Sequence, residues 1–285
     1  MNNFYLQLIR LKHWIKNFVI LFPVFFAGDT IELSIYISLT QAFVAFSLIT
    51  SAVYILNDII DKEDDINHPI KKYRPIASKQ IKVIVASFIG FFCGLFGVAY
   101  FFFFEPSALL PALIYFLMMI FYCLFFRKIA IMDVLIISVG FILRLFIGGK
   151  IAETPISIWI IIMVFLVALF ISFSKRRDDL INDNKRGRES LIDYNLSFVD
   201  TVISILVPVI IVTYILYCTS DSNILRVGEH LYLTTLFIIT GFLRYLQLVF
   251  VKNLGGDPVQ LFYDDLALKG IVFSWMATFG YLLYF

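Results

Sequence analysis

Residues 34–56 read SIYISLTQAFVAFSLITSAVYIL, and residues 57–65 continue without a break as NDIIDKEDD. The first stretch contains no Asp, Glu, Lys or Arg over a length that matches the roughly 20 apolar residues needed to cross a bilayer. The second delivers a row of carboxylates at the end of that span. The junction therefore reads as a membrane helix that presents acids at the membrane surface. Working outward, mostly apolar stretches recur near 13–28, 82–104, 107–126, 130–149, 155–174, 199–218, 231–250 and 268–285. They predict an all-α polytopic membrane protein of about nine transmembrane helices, organised as one domain over 1–285.

Composition excludes the soluble alternatives. The chain is 61% hydrophobic and 18% aromatic, with a mean hydropathy of +0.91, against roughly 45–50% apolar residues in a soluble domain. A nucleic-acid partner is not expected of such a chain. Cys93, Cys123 and Cys218 are scattered singly through apolar runs and read as plain buried thiols without metal-ligand spacing. The apolar segment from Phe18 to Ala27 lacks a small-residue cleavage site and is followed by further spans, so it reads as retained. When loops alternate between the two sides, most of the 23 Lys and Arg residues fall on one side. Only Lys150 and Arg226 lie on the other, and Arg144 and Arg244 lie within spans. The positive-inside rule makes the basic side, the amino terminus and the long loops cytoplasmic.

On a helix Asp58, Asp61 and Asp65 stand at i, i+3 and i+7, one face, with Asn57 beside them. Like charges so placed repel unless a cation lies among them, and few hard oxygen ligands per ion suit magnesium carrying substrate phosphates. The plainer alternative is a solvated acidic helix end. The next segment, His68-Pro69-Ile70-Lys71-Lys72-Tyr73-Arg74-Pro75, cannot continue the helix through two prolines, so it reads as a turn back toward the membrane. Lys71, Lys72 and Arg74 there could grip phosphate oxygens, Arg74 in bidentate fashion. Their plainer reading is a topology signal.

Asn57, Asp58, Asp61 and Asp65 match the Asn-Asp-x-x-Asp-x-x-x-Asp motif of the UbiA-type intramembrane prenyltransferase superfamily, which the chain resembles. The continuation through His68, Pro69, Lys71, Arg74 and Pro75 is similar to the decaprenyl-phosphate phosphoribosyltransferase branch. So are Lys12-His13-Trp14-Ile15-Lys16-Asn17, Leu143-Arg144 before Gly148-Gly149, and Gly255-Gly256-Asp257-Pro258. The resemblance implies helices around a central cavity open to the cytoplasmic side, in a bacterial inner membrane. Ordinary superfamily members carry a second aspartate-rich motif; the corresponding stretch here, Phe173-Ser174-Lys175-Arg176-Arg177-Asp178-Asp179-Leu180, opens with three bases. Lys175 and Asp179 share a face at i, i+4, and Asp183 could form a partial carboxylate pair with Asp179.

A basic second motif suits two phosphorylated substrates better than an aromatic acceptor. The resemblance thus implies transfer of 5-phosphoribosyl from 5-phosphoribosyl 1-diphosphate to a polyprenyl phosphate, with release of diphosphate, for cell-envelope glycan precursors. Mg2+ on Asn57, Asp58 and Asp61 is the expected metal site, and Asp65 is a water-mediated ligand or a ribose contact. Lys71, Lys72 and Arg74 fall to the diphosphate or 5-phosphate, and Lys16, Lys175 and Arg176 to the lipid phosphate. Asp179 completes the expected catalytic set with Asp58, Asp61 and Lys175. Two competing readings stand beside this one: a conventional prenyltransferase with an aromatic or lipophilic acceptor, and an ion-coupled transporter. The transporter would place its acids near the bilayer midplane, and these lie at its edge.

Arg144 within the fifth span must meet protein, water or phosphate, because an unpaired charge there costs about 2.5–3.5 kcal/mol on insertion scales. Asp133, eleven residues earlier, shares its helix face. Arg144 is assigned to substrate; Arg244 in the eighth span is left open between substrate and structure, as are Asp257, Asp264 and Asp265 between the pocket and solvent. Gly90, Gly94 and Gly97 have the spacing that lets helices pack closely.

Overall fold

The computed structural model describes residues 4–27, 32–67, 69–181, 189–254 and 258–284. Every regular element among them is helical. In chain order these are α1 (Phe4–Leu8), a 3-10 helix (Leu11–Leu21), α2 (Phe22–Ala27), α3 (Leu33–Ile60), α4 (Lys62–Ile66), α5 (Val83–Phe104), α6 (Pro106–Leu124) and α7 (Met132–Ile151). There follow α8 (Ile158–Ile181), α9 (Leu196–Cys218), α10 (Asp221–Val227), α11 (Thr235–Leu246), α12 (Pro258–Asp264) and α13 (Leu266–Tyr284). Among the described residues eight helical stretches are long and apolar enough to cross a membrane. The expected first span differs: Leu11–Leu21 winds as a 3-10 helix before α2, and the pair is too short to count as a ninth long helix. The seventh of the eight, Glu229–Val251, is assembled from a 3-10 turn, α11 and a π-helical turn at Gln247–Val251.

Contacts divide the chain into two compact units, residues 1–156 with 186–190, and residues 157–185 with 191–285. In the first, α3 and α5 pack closely along the glycines the spacing singled out. A Cβ on Gly97 would stand 2.7 Å from the Ala45 carbonyl, one on Gly90 would meet Ile55 at 3.2 Å, and one on Gly94 would meet Ala52 at 3.5 Å and Phe116 of α6 at 3.0 Å. Small residues here let two membrane helices approach backbone to backbone. Gly148 does the same for α7 and the 3-10 helix, since a Cβ there would lie 1.8 Å from the Ile20 carbonyl. Ile20, Leu39, Phe46, Ile49, Tyr115 and Ile147 fill the core these contacts enclose.

At 28 residues and about 1.5 Å rise per residue, α3 is longer than a hydrocarbon core is thick. Its acidic end is thereby carried toward the membrane surface. The helix breaks at Asp61 (φ −84°, ψ 3°), but Asp61 N–H still donates to the Asn57 carbonyl and Asp65 N–H to that of Asp61, so α4 follows directly. The chain then returns: Ile76 and Ile81 are buried with Leu8, Ile55 and Ala86. That apolar anchor, with Ser78 bonded to the Arg74 carbonyl, fixes where Arg74 starts. In the second unit α8 packs on α9 and α11 on α13.

Candidate active site

The acidic motif of the first unit is a cluster of three carboxylates interleaved with three guanidinium groups. Asp58, in the last turn of α3, is 3% exposed, and its Oδ1 accepts from Arg10 Nη2 at 2.5 Å and from Arg74 Nη1 at 3.0 Å. The same Arg74 nitrogen reaches Asp65 Oδ2 at 2.6 Å, so one cation joins Asp58 and Asp65 across two turns. Asp61 turns to other partners. Asn57 Nδ2 donates to its Oδ2 at 2.8 Å, and Arg127 donates to its Oδ1 and to Asn57 Oδ1. The sequence placed three acids on one face; the structure adds that each is already held by a cation.

Local backbone explains the reach of these arginines. Arg10 adopts the left-handed conformation (φ 53°, ψ 48°), uncommon for a non-glycine residue, which separates α1 from the 3-10 helix. Its guanidinium lies 4.9 Å from the centre of the Tyr54 ring, one turn before Asp58 on α3. Ser51 tightens that approach by donating to the Ile9 carbonyl at 2.7 Å. Burial by itself would lower the Arg10 pKa, but Asp58 and Tyr54 more than reverse this, and the net direction is upward. For Asp65 burial dominates: its carboxyl is pushed above the ordinary 3.8, and Arg74 and then Lys71 pull it only part of the way back.

Of the other bases assigned to phosphate, Lys71 is electrostatically coupled to Asp65. Lys72 instead lies over the exposed Tyr73 ring, its Nζ 5.2 Å from the ring centre. Lys16 is half-buried on the 3-10 helix. Its neighbours show how that segment is held. Trp14 Nε1 donates to Ser51 Oγ, and Asn17 Nδ2 donates to Ser47 Oγ at 2.8 Å and Thr50 Oγ1 at 3.3 Å. Asn17 Oδ1 accepts from Arg144 Nε at 2.9 Å. Arg144 further donates to the Gly140 carbonyl and to Tyr115 Oη, and it lies against the rings of Phe46, Tyr115 and Phe141. The motifs at 12–17 and 143–149 thus meet in one joint, through the Arg144–Asn17 bond and the Gly148–Ile20 approach. Asp133, expected on the Arg144 face, is fully buried and accepts from Ser190 Oγ.

In the second unit the basic turn of α8 is divided in its roles. Arg176, 1% exposed, donates to Asp179 Oδ2 at 3.2 Å, and Lys175 is exposed. Arg177 is bound within its own unit: Nε to Asp200 Oδ1 at 2.8 Å, Nη1 to the Val249 carbonyl at 2.8 Å and to Asn253 Oδ1 at 3.3 Å, over the Phe250 ring. Val249 lies in the π-helical turn, whose wider hydrogen-bond pitch leaves carbonyls to find other donors. Arg244, left open by the sequence, pairs with Asp265 at 2.6 Å and with Gln247. That pairing holds the Asp265 carboxyl below its ordinary pKa. Asp265 also caps α13 by accepting from Leu268 N–H, and Asp264 is exposed. His68, Asp183 and the 255–257 stretch lie outside the described residues.

The donor chemistry of the first cluster fits magnesium that carries phosphate. Among the described residues no three His, Cys, Asp or Glu side chains are gathered as a metal cage. What converges instead is pairs of hard oxygens on one cationic nitrogen: Asn57 Oδ1 with Asp61 Oδ1 on Arg127, and Asp58 Oδ1 with Asp65 Oδ2 on Arg74. Two or three protein oxygens, completed by phosphate and water, are a sufficient shell for this ion.

Comparison with known proteins identifies the family and the fold. The sequence profile of the UbiA prenyltransferase family matches residues 18–281. The decaprenyl-phosphate phosphoribosyltransferase of Mycobacterium tuberculosis is 26% identical over 279 residues, 95% of this chain and 91% of that protein. The protein of that name from Mycolicibacterium smegmatis is 26% identical over 98% of this chain and 92% of its own length. Among solved structures, a UbiA homolog from Archaeoglobus fulgidus bound to GPP and Mg2+ superposes with a TM-score of 0.74, covering 99% of each chain at 17% identity.

Proposed function

Because the chain belongs to the UbiA prenyltransferase family of membrane transferases, we propose that it moves 5-phosphoribosyl from 5-phosphoribosyl 1-diphosphate to a polyprenyl phosphate, releasing diphosphate. The observation that carries this reading is the density of cation around both motifs: Arg10, Arg74 and Arg127 on the acids, and Arg176 on Asp179 next to an exposed Lys175. Two phosphorylated substrates need that many positive groups; an uncharged aromatic acceptor does not. The names of the mycobacterial relatives support it.

Little covalent chemistry is required of the protein. A lipid phosphate oxygen is anionic already, so it attacks the anomeric carbon without a general base, and catalysis consists of alignment and charge stabilisation. Asn57, Asp58 and Asp61 would hold the magnesium, which when bound supplies a Lewis acid for the departing diphosphate. Arg74 and Lys71 orient the diphosphate or the 5-phosphate. Asp65, tied to Arg74, sets the direction of that guanidinium and is assigned to the ribose or to a water-mediated metal contact. Lys175, Arg176 and Lys16 are assigned to the lipid phosphate; Arg144, assigned to substrate on the sequence, has its guanidinium bonded to Asn17, Gly140 and Tyr115 and is reassigned to holding the segment that carries Lys16. Residues 1–285 act as one transferase domain in a bacterial inner membrane, its acidic motif facing the cytoplasm.

Diphosphate release by the purified protein tests the assignment. A coupled pyrophosphatase assay should show turnover only when polyprenyl phosphate and 5-phosphoribosyl 1-diphosphate are both present. Release from an isoprenyl diphosphate with an aromatic acceptor would move the chain to conventional prenyl transfer.

A further inference from the structure

We infer that Arg10, Arg74 and Arg127 form a guanidinium latch on the acidic motif, so that the protein takes up a divalent cation only together with a diphosphate. The inference rests on the reading of Asp58 and Asp61 as the seat of a metal-bound diphosphate. It gives Arg10 and Arg127, which that reading counted only as positive charge beside the acids, a role of their own as groups that transfer from carboxylate to phosphate.

Charge comes first. Asp58, Asp61 and Asp65 bring three negative charges, and the three arginines bring three positive ones, each in a direct ion pair. These six ion-paired groups therefore sum to zero, with Lys71 a further cation near Asp65. Asp58 and Asp65 are each 3% exposed, so water does little to screen them, and without the arginines these anions would be buried uncompensated. A divalent ion entering alone would have to displace guanidinium groups and leave surplus positive charge in a low-dielectric site. A diphosphate entering with the ion removes that surplus. It offers the displaced guanidiniums oxygens as good as the carboxylates they leave, because Arg binds phosphate in the same planar fork.

Accessibility sets the direction of the exchange. The side chains of Arg10 and Arg74 are 18% and 24% exposed, whereas Asp58 and Asp65 beneath them are nearly closed; Arg127 and its partner Asp61 are equally open at 16% each. Arg10 reaches its carboxylate through Nη2 alone, and Arg74 and Arg127 reach theirs through Nη1 alone, although a guanidinium has five N–H donors. An arriving diphosphate thus meets the outer edges of Arg10 and Arg74 before Asp58 and Asp65, and the carboxylates turn to the metal as the guanidiniums turn outward.

Equilibrium dialysis of the intact protein in nanodiscs, with radiolabelled manganese and pyrophosphate as probes, tests this without turnover. Each probe alone should be retained at least tenfold more weakly than both together, and together they should be retained one to one. In Arg10→Gln, where Asp58 loses one of its two cations, manganese alone should bind several-fold more tightly than in the wild type while joint retention weakens. The wild-type measurement suffices if that variant does not fold. Tight manganese binding indifferent to pyrophosphate, or tight pyrophosphate binding indifferent to manganese, would overturn the latch and leave the metal–diphosphate site standing. Retention of neither probe in any combination would overturn both.

Discussion

Asp58 and Asp61 are acids whose removal should separate chemistry from folding. Changing either to Asn keeps its size but deletes the charge that would neutralise a metal, and it leaves Arg10, or Arg127, without its counter-ion, while Arg74 keeps Asp65. Turnover should fall by at least ~100-fold, in line with the loss of a dominant electrostatic group, while the protein remains inserted and monodisperse by size exclusion. Normal activity in both variants would remove the metal assignment. Asp65 offers a titration. Its folded pKa is raised above 3.8 by burial, so the folded state binds the proton more tightly than the unfolded chain does. The sign follows: the contribution of Asp65 to stability is present below 3.8 and is lost as pH rises through the raised value. An infrared titration of its carboxyl band should give a midpoint above 3.8, and Arg74→Gln should move it higher, because Arg74 is the main group pulling it down. A midpoint that drops in the variant would contradict the pairing.

Two glycines give opposite expectations for helix packing. Gly148→Ala puts a methyl where the Ile20 backbone carbonyl already sits, and backbone cannot yield as a flexible side chain can. The loss should be at least ~1–3 kcal/mol, the usual cost of overpacking, read as a lower thermal midpoint in detergent. Gly270→Ala, in α13 with nothing within 4 Å of the added Cβ, should be neutral or stabilising by up to ~1 kcal/mol. Equal effects would mean that the 3-10 helix is not clamped to α7. Much of this level was legible in sequence. The apolar runs located the eight long spans, and the Gly90, Gly94 and Gly97 spacing located a close helix contact. What escaped was the winding of Leu11–Leu21, because the side-chain pattern is similar whether a short apolar run turns as α or 3-10. Its actual supports, Ser47, Ser51 and Thr50, lie 30 to 37 residues away.

For the molecule as a whole, the acidic motif declared itself by local spacing, whereas two of its three cations did not. Arg127 stands 66 residues beyond Asp61 and Arg10 stands 48 before Asp58, and no periodicity links positions so far apart. In the sequence they counted only as basic loop residues. Arg144 was legible as a charge needing a partner, but its partner Asn17 lies 127 residues away and carries no charge. The distribution of Lys and Arg makes one topological prediction: reporter fusions at the amino terminus and within 70–81 should be cytoplasmic, and one near Arg226 should lie on the opposite side. The reverse pattern would put the acidic motif on the wrong face for a soluble sugar diphosphate. The most direct test of the central claim is to incubate the purified protein with magnesium, polyprenyl phosphate and 5-phosphoribosyl 1-diphosphate labelled in the ribose, and to follow the label into the lipid phase. Phosphoribosyl transfer predicts a labelled lipid that disappears with chelator and in Asp58→Asn; an unlabelled lipid phase, with an isoprenyl diphosphate consumed in its place, would contradict it.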